Sequence, residues 1–221
     1  MITLPTKKVT ATSVNPTLLT LYGPPKVGKS TMLAELPNCL IIDTEKGTSK
    51  IDAMKIEVNN LTELVEVIKE LKGSKHKYEY IALDPIDAIS LWYEAAVCRE
   101  AKVKTLVEMP YGAGFSIARE KVMNVINVLR TITPHVIVIG HLKKTLLGSE
   151  TDIQVNISSL DLTGKLKNLI MADSDAIGLV HRSPEGELMV SFQGNDQIEV
   201  GSRCKHLQNA LFPFDWKNIY I

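Results

Sequence analysis

One short stretch narrows what this chain can fold into more than any other: Gly23-Pro24-Pro25-Lys26-Val27-Gly28-Lys29-Ser30, followed by Thr31. The apolar run Leu18-Leu19-Thr20-Leu21-Tyr22 leads straight into it, and Lys29 to Leu36 reads as a helix stopped by Pro37. A strand that delivers its end into a glycine turn and then a helix is the local geometry of an α/β fold built on parallel strands. The glycines let the backbone wrap so that several N–H groups point inward, and the start of the helix adds its positive dipole end. Such a turn holds an anion, and the GxxxxGK[ST] spacing is that of a phosphate loop.

The rest of the chain repeats the alternation of short apolar runs with amphipathic segments. Strands are expected at Cys39 to Ile42, Tyr80 to Leu83 and Val136 to Ile139, and helices at Asn60 to Lys72, Ile86 to about Arg99 and Phe115 to Arg130. The first of these helices opens on a capping box, Asn60 with Glu63, and stops at Gly73. Leu142 to Leu162 is polar with no helical period and is expected to form a long loop or hairpin. Beyond Ala176 the runs Ile177 to Val180, Leu188 to Phe192 and Ile198 to Gly201 read as antiparallel strands. The expected fold is therefore α/β: a mostly parallel central sheet flanked by helices, with antiparallel strands in the C-terminal part. One domain over residues 1–221 is expected, with 1–16 as an N-terminal extension.

The chemistry of a phosphate loop assigns roles by position. Gly23, Pro24, Pro25, Lys26, Val27, Gly28, Lys29, Ser30 and Thr31 form the nucleotide cradle. In it Lys29 bridges β- and γ-oxygens as a charge and the Ser30 hydroxyl serves Mg²⁺. Asp84 ends the apolar run Tyr80-Ile81-Ala82-Leu83, which suits a carboxylate that holds Mg²⁺ through water, though a strand-end Asp before Pro85 also has plain structural uses. No acid follows Asp84, so the group that aligns the attacking water must come from elsewhere. Glu45, just past the second strand, is the candidate, and Asp43 is its rival. His141 ends the strand through Ile139-Gly140, where a polar side chain can sense a γ-phosphate or simply serve the structure.

Composition sets limits on partners and compartment. Lys plus Arg equals Asp plus Glu at 25 each, so no whole-chain field draws in nucleic acid or a membrane. Residues 141 to 167 carry four lysines against Glu150, Asp152 and Asp161, an excess of only one positive charge (4 − 3) for a polyanion to use. Cys39, Cys98 and Cys204 are too few and scattered for a disulfide framework, no apolar run is long enough to span a bilayer, and a cytoplasmic location is expected. The histidines show no metal-ligand spacing.

The strings GPPKVGKST, IIDTEKG, YIALDPIDAI, VIVIGHLKKT, LTGKLKNLIMADSDAIG and GSRCKH, in that order, resemble RecA-like ATPases. More closely, they resemble the small phage-encoded RecA-like proteins grouped with single-strand annealing recombinases, the fourth Sak family. The resemblance covers the chain from about residue 18 and implies ATP and Mg²⁺ as cofactors, single-stranded DNA as a partner, self-association into a ring or filament, and the host cytoplasm. It implies Glu45 as catalytic base and His141 as γ-phosphate sensor. It also implies that Arg203 and Lys205, in Arg203-Cys204-Lys205, reach the ATP of the neighbouring subunit. DNA would be met by the segment after His141, with Lys143, Lys144, Lys165 and Lys167. Tyr111 and Phe115 offer stacking surfaces, because the His141–Gly164 segment has no aromatic residue.

Other functions compete. A small-molecule kinase would need arginines around the transferring phosphate, yet the only ones are Arg99, Arg119, Arg130, Arg182 and Arg203. An AAA+ type motor would call for an acid beside Asp84 and an all-helical C-terminal lid carrying an arginine. A regulatory protein that binds nucleotide without hydrolysing it is the remaining alternative.

Overall fold

The computed structural model describes residues 4–147 and 155–221. In chain order the elements are β1 (Leu18–Gly23), α1 (Lys29–Glu35), β2 (Cys39–Asp43), β3 (Lys55–Glu57), α2 (Leu61–Gly73), β4 (Tyr80–Asp84), α3 (Ile86–Ala101), α4 (Ala113–Arg130), β5 (His135–Leu147), β6 (Val155–Leu160), α5 (Lys165–Asp173), β7 (Ala176–Arg182), β8 (Leu188–Ser191), β9 (Gly201–Ser202), β10 (Leu211–Pro213) and α6 (Trp216–Ile219). The strands join one sheet in the order β10-β8-β7-β1-β5-β4-β2-β3, with β6 on β5 and β9 on β7. From β7 to β3 neighbouring strands are parallel, whereas β8, β9 and β10 pair antiparallel beyond β7. This is the expected mostly parallel sheet with antiparallel C-terminal strands.

Both faces of the parallel region are covered, which explains why its strands are continuously apolar rather than alternating. Along β1, Leu18 and Tyr22 join one core with α2, α3, α4 and α5, while Leu19 and Leu21 join the other with α1 and the C-terminal segment. Odd and even residues of β5 divide the same way. The second core is sealed by Trp216, whose indole Nε1 donates to the Met32 carbonyl at 2.6 Å and pins α1 from below. At the head of α2 the Asn60 side chain accepts the Glu63 N–H at 3.0 Å, as the capping box requires.

Several elements differ from the sequence expectation. The strand expected at Val136 to Ile139 is the first part of a much longer one: β5 continues through Leu147 and folds back as β6, pairing Leu142 with Leu160. The hairpin alternative for Leu142 to Leu162 is thus the observed one; Glu150 and Asp152 lie outside the described residues. The strand expected at Ile198 to Gly201 is reduced to β9, because Ile198 closes a tight turn with Asn195 and the Val200 N–H bonds the Ile198 carbonyl at 3.1 Å instead of a neighbouring strand. Helix α5 and edge strand β3 have no counterpart in the sequence reading.

Candidate active site

The parallel strands present their carboxyl ends on one rim, where open α/β sheets bind ligands. Register brings the expected residues together there. Gly23 lies beside His141 across the β1–β5 pair, and Asp43 beside Asp84 across β2–β4. Strand β5 stands between β1 and β4, so His141 lies between the phosphate loop and Asp84. Pro25, Lys26, Gly28, Lys29, Ser30, Thr31, Asp43, Glu45, Asp84 and His141 all line one cavity of about 430 Å³.

The loop between β1 and α1 is held in a form that ordinary residues resist. Gly28 sits at φ 121°, a conformation open to glycine, and caps α1. The Lys29 ammonium donates to the carbonyls of Gly23 and Pro24, both at 2.9 Å. Burial pushes its pKa down, opposed by the carboxylates of Asp84, Asp87 and Glu45. Arg182, at the end of β7, donates from Nη2 to the Val27 carbonyl at 3.2 Å and from Nη1 to Gly186 at 2.7 Å. It braces the loop from the β7–β8 turn, a contact across 155 residues that no local pattern announces.

Ser30 and Asp84, both expected to serve Mg²⁺, meet directly here: the hydroxyl donates to Asp84 Oδ2 at 2.6 Å. Burial raises the pKa of Asp84, and the Ser30 hydrogen bond and Lys29 oppose that rise. A buried carboxylate beside a hydroxyl is a hard-oxygen donor set that fits Mg²⁺, which takes one or two protein oxygens and completes its shell with phosphate and water. Among the described residues no cluster of three His, Cys, Asp or Glu exists that could hold a metal without such help.

The two acids after β2 differ sharply. Asp43 is buried and accepts the N–H groups of Glu45 (3.1 Å), Gly47 (3.1 Å) and Thr48 (2.8 Å) and the Thr48 hydroxyl (2.5 Å). Burial pushes its carboxyl up, but these hydrogen bonds outweigh it and hold the pKa below the usual carboxylate range. Its lone pairs are committed to folding the turn. Glu45 is exposed and lines the cavity.

His141 is joined to a residue that the sequence reading missed. Its Nδ1 lies 2.6 Å from Asp87 Oδ2, in the first turn of α3. Burial pushes the Asp87 carboxyl up to about 6, against the pull of His141. The only sequence signal for Asp87 is its place three residues after Asp84.

Arg203 and Lys205 are not part of this rim. The Arg203 N–H donates to the Asp175 carbonyl, and the Asp175 N–H to Leu18, so Arg203 lies at the amino end of β1. The phosphate loop is at the other end, roughly 16 Å along the strand. The expectation that the two cations project together from a strand is overturned. Arg203 follows β9 in a bend, donates to the Ala172 carbonyl at the end of α5, and approaches Asp175 at 3.9 Å. Lys205 opens a short 3₁₀ turn, Lys205–Leu207.

Of the residues expected to meet DNA, Lys143 and Lys144 are exposed on the β5–β6 hairpin, with Lys143 3.5 Å from Asp161. Lys167 is paired with Glu199 at 2.6 Å, which removes it from the freely available cations; Lys165 is exposed at the start of α5. Tyr111 and Phe115 are exposed around the start of α4.

The strand order, the phosphate loop and the Ser30–Asp84 pair define a P-loop NTPase. The family model of an AAA domain matches residues 15–204, and the chain belongs to that family. No curated protein matches the chain. Within that family the chain departs from the AAA+ motor pattern: Pro85, not an acid, follows Asp84, and strands β7 to β10 fill the C-terminal part. Among the described residues no helix is long and apolar enough to cross a membrane.

Proposed function

We propose that the chain binds ATP with Mg²⁺, hydrolyses it, and couples that cycle to single-stranded DNA in recombination or annealing, as a RecA-like protein of the phage Sak type. The observation that carries this reading is the convergence of Lys29, Ser30–Asp84, Glu45 and His141 on one cavity at the root of the lysine-bearing β5–β6 hairpin. Lys29 leaves the carbonyls of Gly23 and Pro24 for the phosphates, the backbone of residues 24–28 cradles them, and Glu45 aligns water with the terminal phosphate. When bound between Ser30, Asp84 and the phosphates, Mg²⁺ would neutralise charge that develops on the transferring oxygens. An excess of carboxylates over cations around Lys29 supports the need for such a divalent ion. The antiparallel strands past β7, where a motor reading asks for helices, favour the RecA-like alternative.

The test is the ATPase rate of the purified chain with and without single-stranded DNA, alongside its mass in solution and the Lys29→Ala variant. Mg-dependent turnover that DNA stimulates and Lys29→Ala abolishes is the expected result. ATP binding without turnover would favour the regulatory reading. Turnover that needs a small-molecule acceptor would favour the kinase.

A further inference from the structure

We propose that Asp87 is a positioning residue for His141, holding Nδ1 protonated so that Nε2 is the ring nitrogen presented to the terminal phosphate of bound nucleotide. The proposal rests on the ATP-binding reading of the cavity and adds to it how ATP is told from ADP.

Three observations carry it. First, an ionised carboxylate only accepts hydrogen bonds, so the 2.6 Å contact between Asp87 Oδ2 and His141 Nδ1 fixes the proton on Nδ1. Second, Asp87 Oδ1 is buried without a hydrogen-bond partner, so the imidazole is the one side chain that satisfies this carboxylate among the described residues. A carboxylate placed only to stabilise the fold would be expected to use both oxygens. Third, His141 lines the phosphate cavity, next to Gly23 in register, so the ring spans from the buried acid to the site. Gly140 keeps this arrangement compact: a Cβ there would fall 2.1 Å from Leu160 Cδ1 and 3.8 Å from Asp87 Oδ1.

The charges around the pair explain what it does. Lys29 faces it from the phosphate loop, Glu45 from the turn after β2 and Asp84 from β4. A neutral imidazole with its proton on Nδ1 offers a lone pair at Nε2, which an anionic phosphate oxygen repels. When a terminal phosphate binds, a proton taken from solvent at Nε2 makes the ring a charge-assisted donor to it, while Nδ1–H stays on the Asp87 carboxylate. ADP, which lacks that phosphate, gains nothing from the pair.

The experiment compares wild type, Asp87→Asn, Asp87→Ala and His141→Ala. Affinities for ADP and for a non-hydrolysable ATP analogue are measured by calorimetry with Mg²⁺. Ring ¹⁵N shifts of His141 are read in nucleotide-free protein at about pH 8, where an imidazole is mostly neutral. Loss of one charge-assisted hydrogen bond should cut the preference for the ATP analogue over ADP by about tenfold in Asp87→Asn, and by less in Asp87→Ala, whose neutral ring can still donate from Nε2. ADP affinity should stay within about twofold, and His141→Ala should match Asp87→Asn. Asp87→Asn, whose amide oxygen still accepts, should keep the Nδ1–H form; Asp87→Ala should shift the ring toward Nε2–H. An unchanged preference in Asp87→Asn, or equal weakening of both nucleotides, would overturn the proposal by reducing Asp87 to a structural residue. If wild type binds neither nucleotide, the ATP reading fails. An Nδ1–H form that survives in Asp87→Ala would overturn the Asp87 assignment itself, with or without nucleotide binding.

Discussion

Asp43 accepts the backbone N–H of Glu45 at 3.1 Å, so the buried acid of the pair builds the turn from which the exposed acid extends. Their roles separate on that contact. Glu45→Gln is expected to bind ATP normally and to turn it over about 10²-fold more slowly, as loss of a general base does. Asp43→Asn should instead destabilise the protein by roughly 1–3 kcal/mol, because it disturbs a buried acceptor of several hydrogen bonds. Thermal melts and single-turnover rates on both variants distinguish the two. Normal turnover by Glu45→Gln together with a stable, inactive Asp43→Asn would reverse the assignment.

Asp84 predicts a conflict between stability and function. Its pKa is raised by burial, so the folded chain holds a proton that the unfolded chain releases. Stability without ligand should therefore fall as pH climbs from the ordinary carboxylate range through the raised value. Asp84→Asn keeps an oxygen for the Ser30 hydroxyl and removes the buried charge. Its melting temperature without nucleotide should rise, at about 2–4 °C per kcal/mol for a chain of this size, while the stabilisation added by Mg²⁺ and ATP should vanish. A lower melting temperature in the variant would mean that Lys29 already compensates the charge.

The hairpin lysines give a salt-dependence prediction. Lys143→Ala with Lys144→Ala should weaken single-stranded DNA binding and reduce the slope of log affinity against log salt by about 1.4, the effect of two lost phosphate contacts. Binding should strengthen with a non-hydrolysable ATP analogue. Fluorescence anisotropy across a salt series measures both, and an unaltered slope would remove the hairpin from the DNA-binding surface.

The position of Arg203 sharpens the assembly prediction, since the cation lies at the opposite end of β1 from its own phosphate loop. Any role in hydrolysis must therefore be played on a neighbouring protomer. ATPase activity should rise more steeply than linearly with protein concentration. Mixing Arg203→Ala/Lys205→Ala protein with Glu45→Gln protein should restore turnover, because one copy supplies the base and the other the cations. Specific activity independent of concentration, with no rescue on mixing, would leave Arg203 with its contacts to Ala172 and Asp175 alone.

What could be read in the sequence follows from where burial writes a pattern. β1, β2, β4 and the first part of β5 are covered on both faces, so they appear as unbroken apolar runs. The phosphate loop announces itself through glycine spacing. The outer half of β5, with Lys143, Lys144 and Thr145 exposed, carries no such signal. α5 is short and buries only Leu166 and Ile170, too few for a visible helical period. The site was legible where a motif supplied it, in Lys29, Ser30 and Asp84. It was not legible where folding joins distant residues, as in Asp87 with His141, 54 positions apart, or Arg182 with Val27. For Arg203 no strand forms: the chain leaves β9 in a bend where the Cys204 N–H turns back to Ser202 Oγ, a local side-chain contact that the sequence pattern does not announce.

Strand β5 is a single span of 13 residues, and its pairing changes at His141 from parallel with β1 to antiparallel with β6. Mechanically it is a beam clamped at one end and stiffened at the other by its partner strand. From His141 to Leu147 the arm is roughly 20 Å long, so a tilt of about 5° at the clamp moves its far end by roughly 2 Å. Amplification of this kind needs no loop to order or melt, and its gain is set by arm length. Shortening the hairpin by one residue pair on each strand would shorten this lever in proportion while leaving the residues at the clamp untouched.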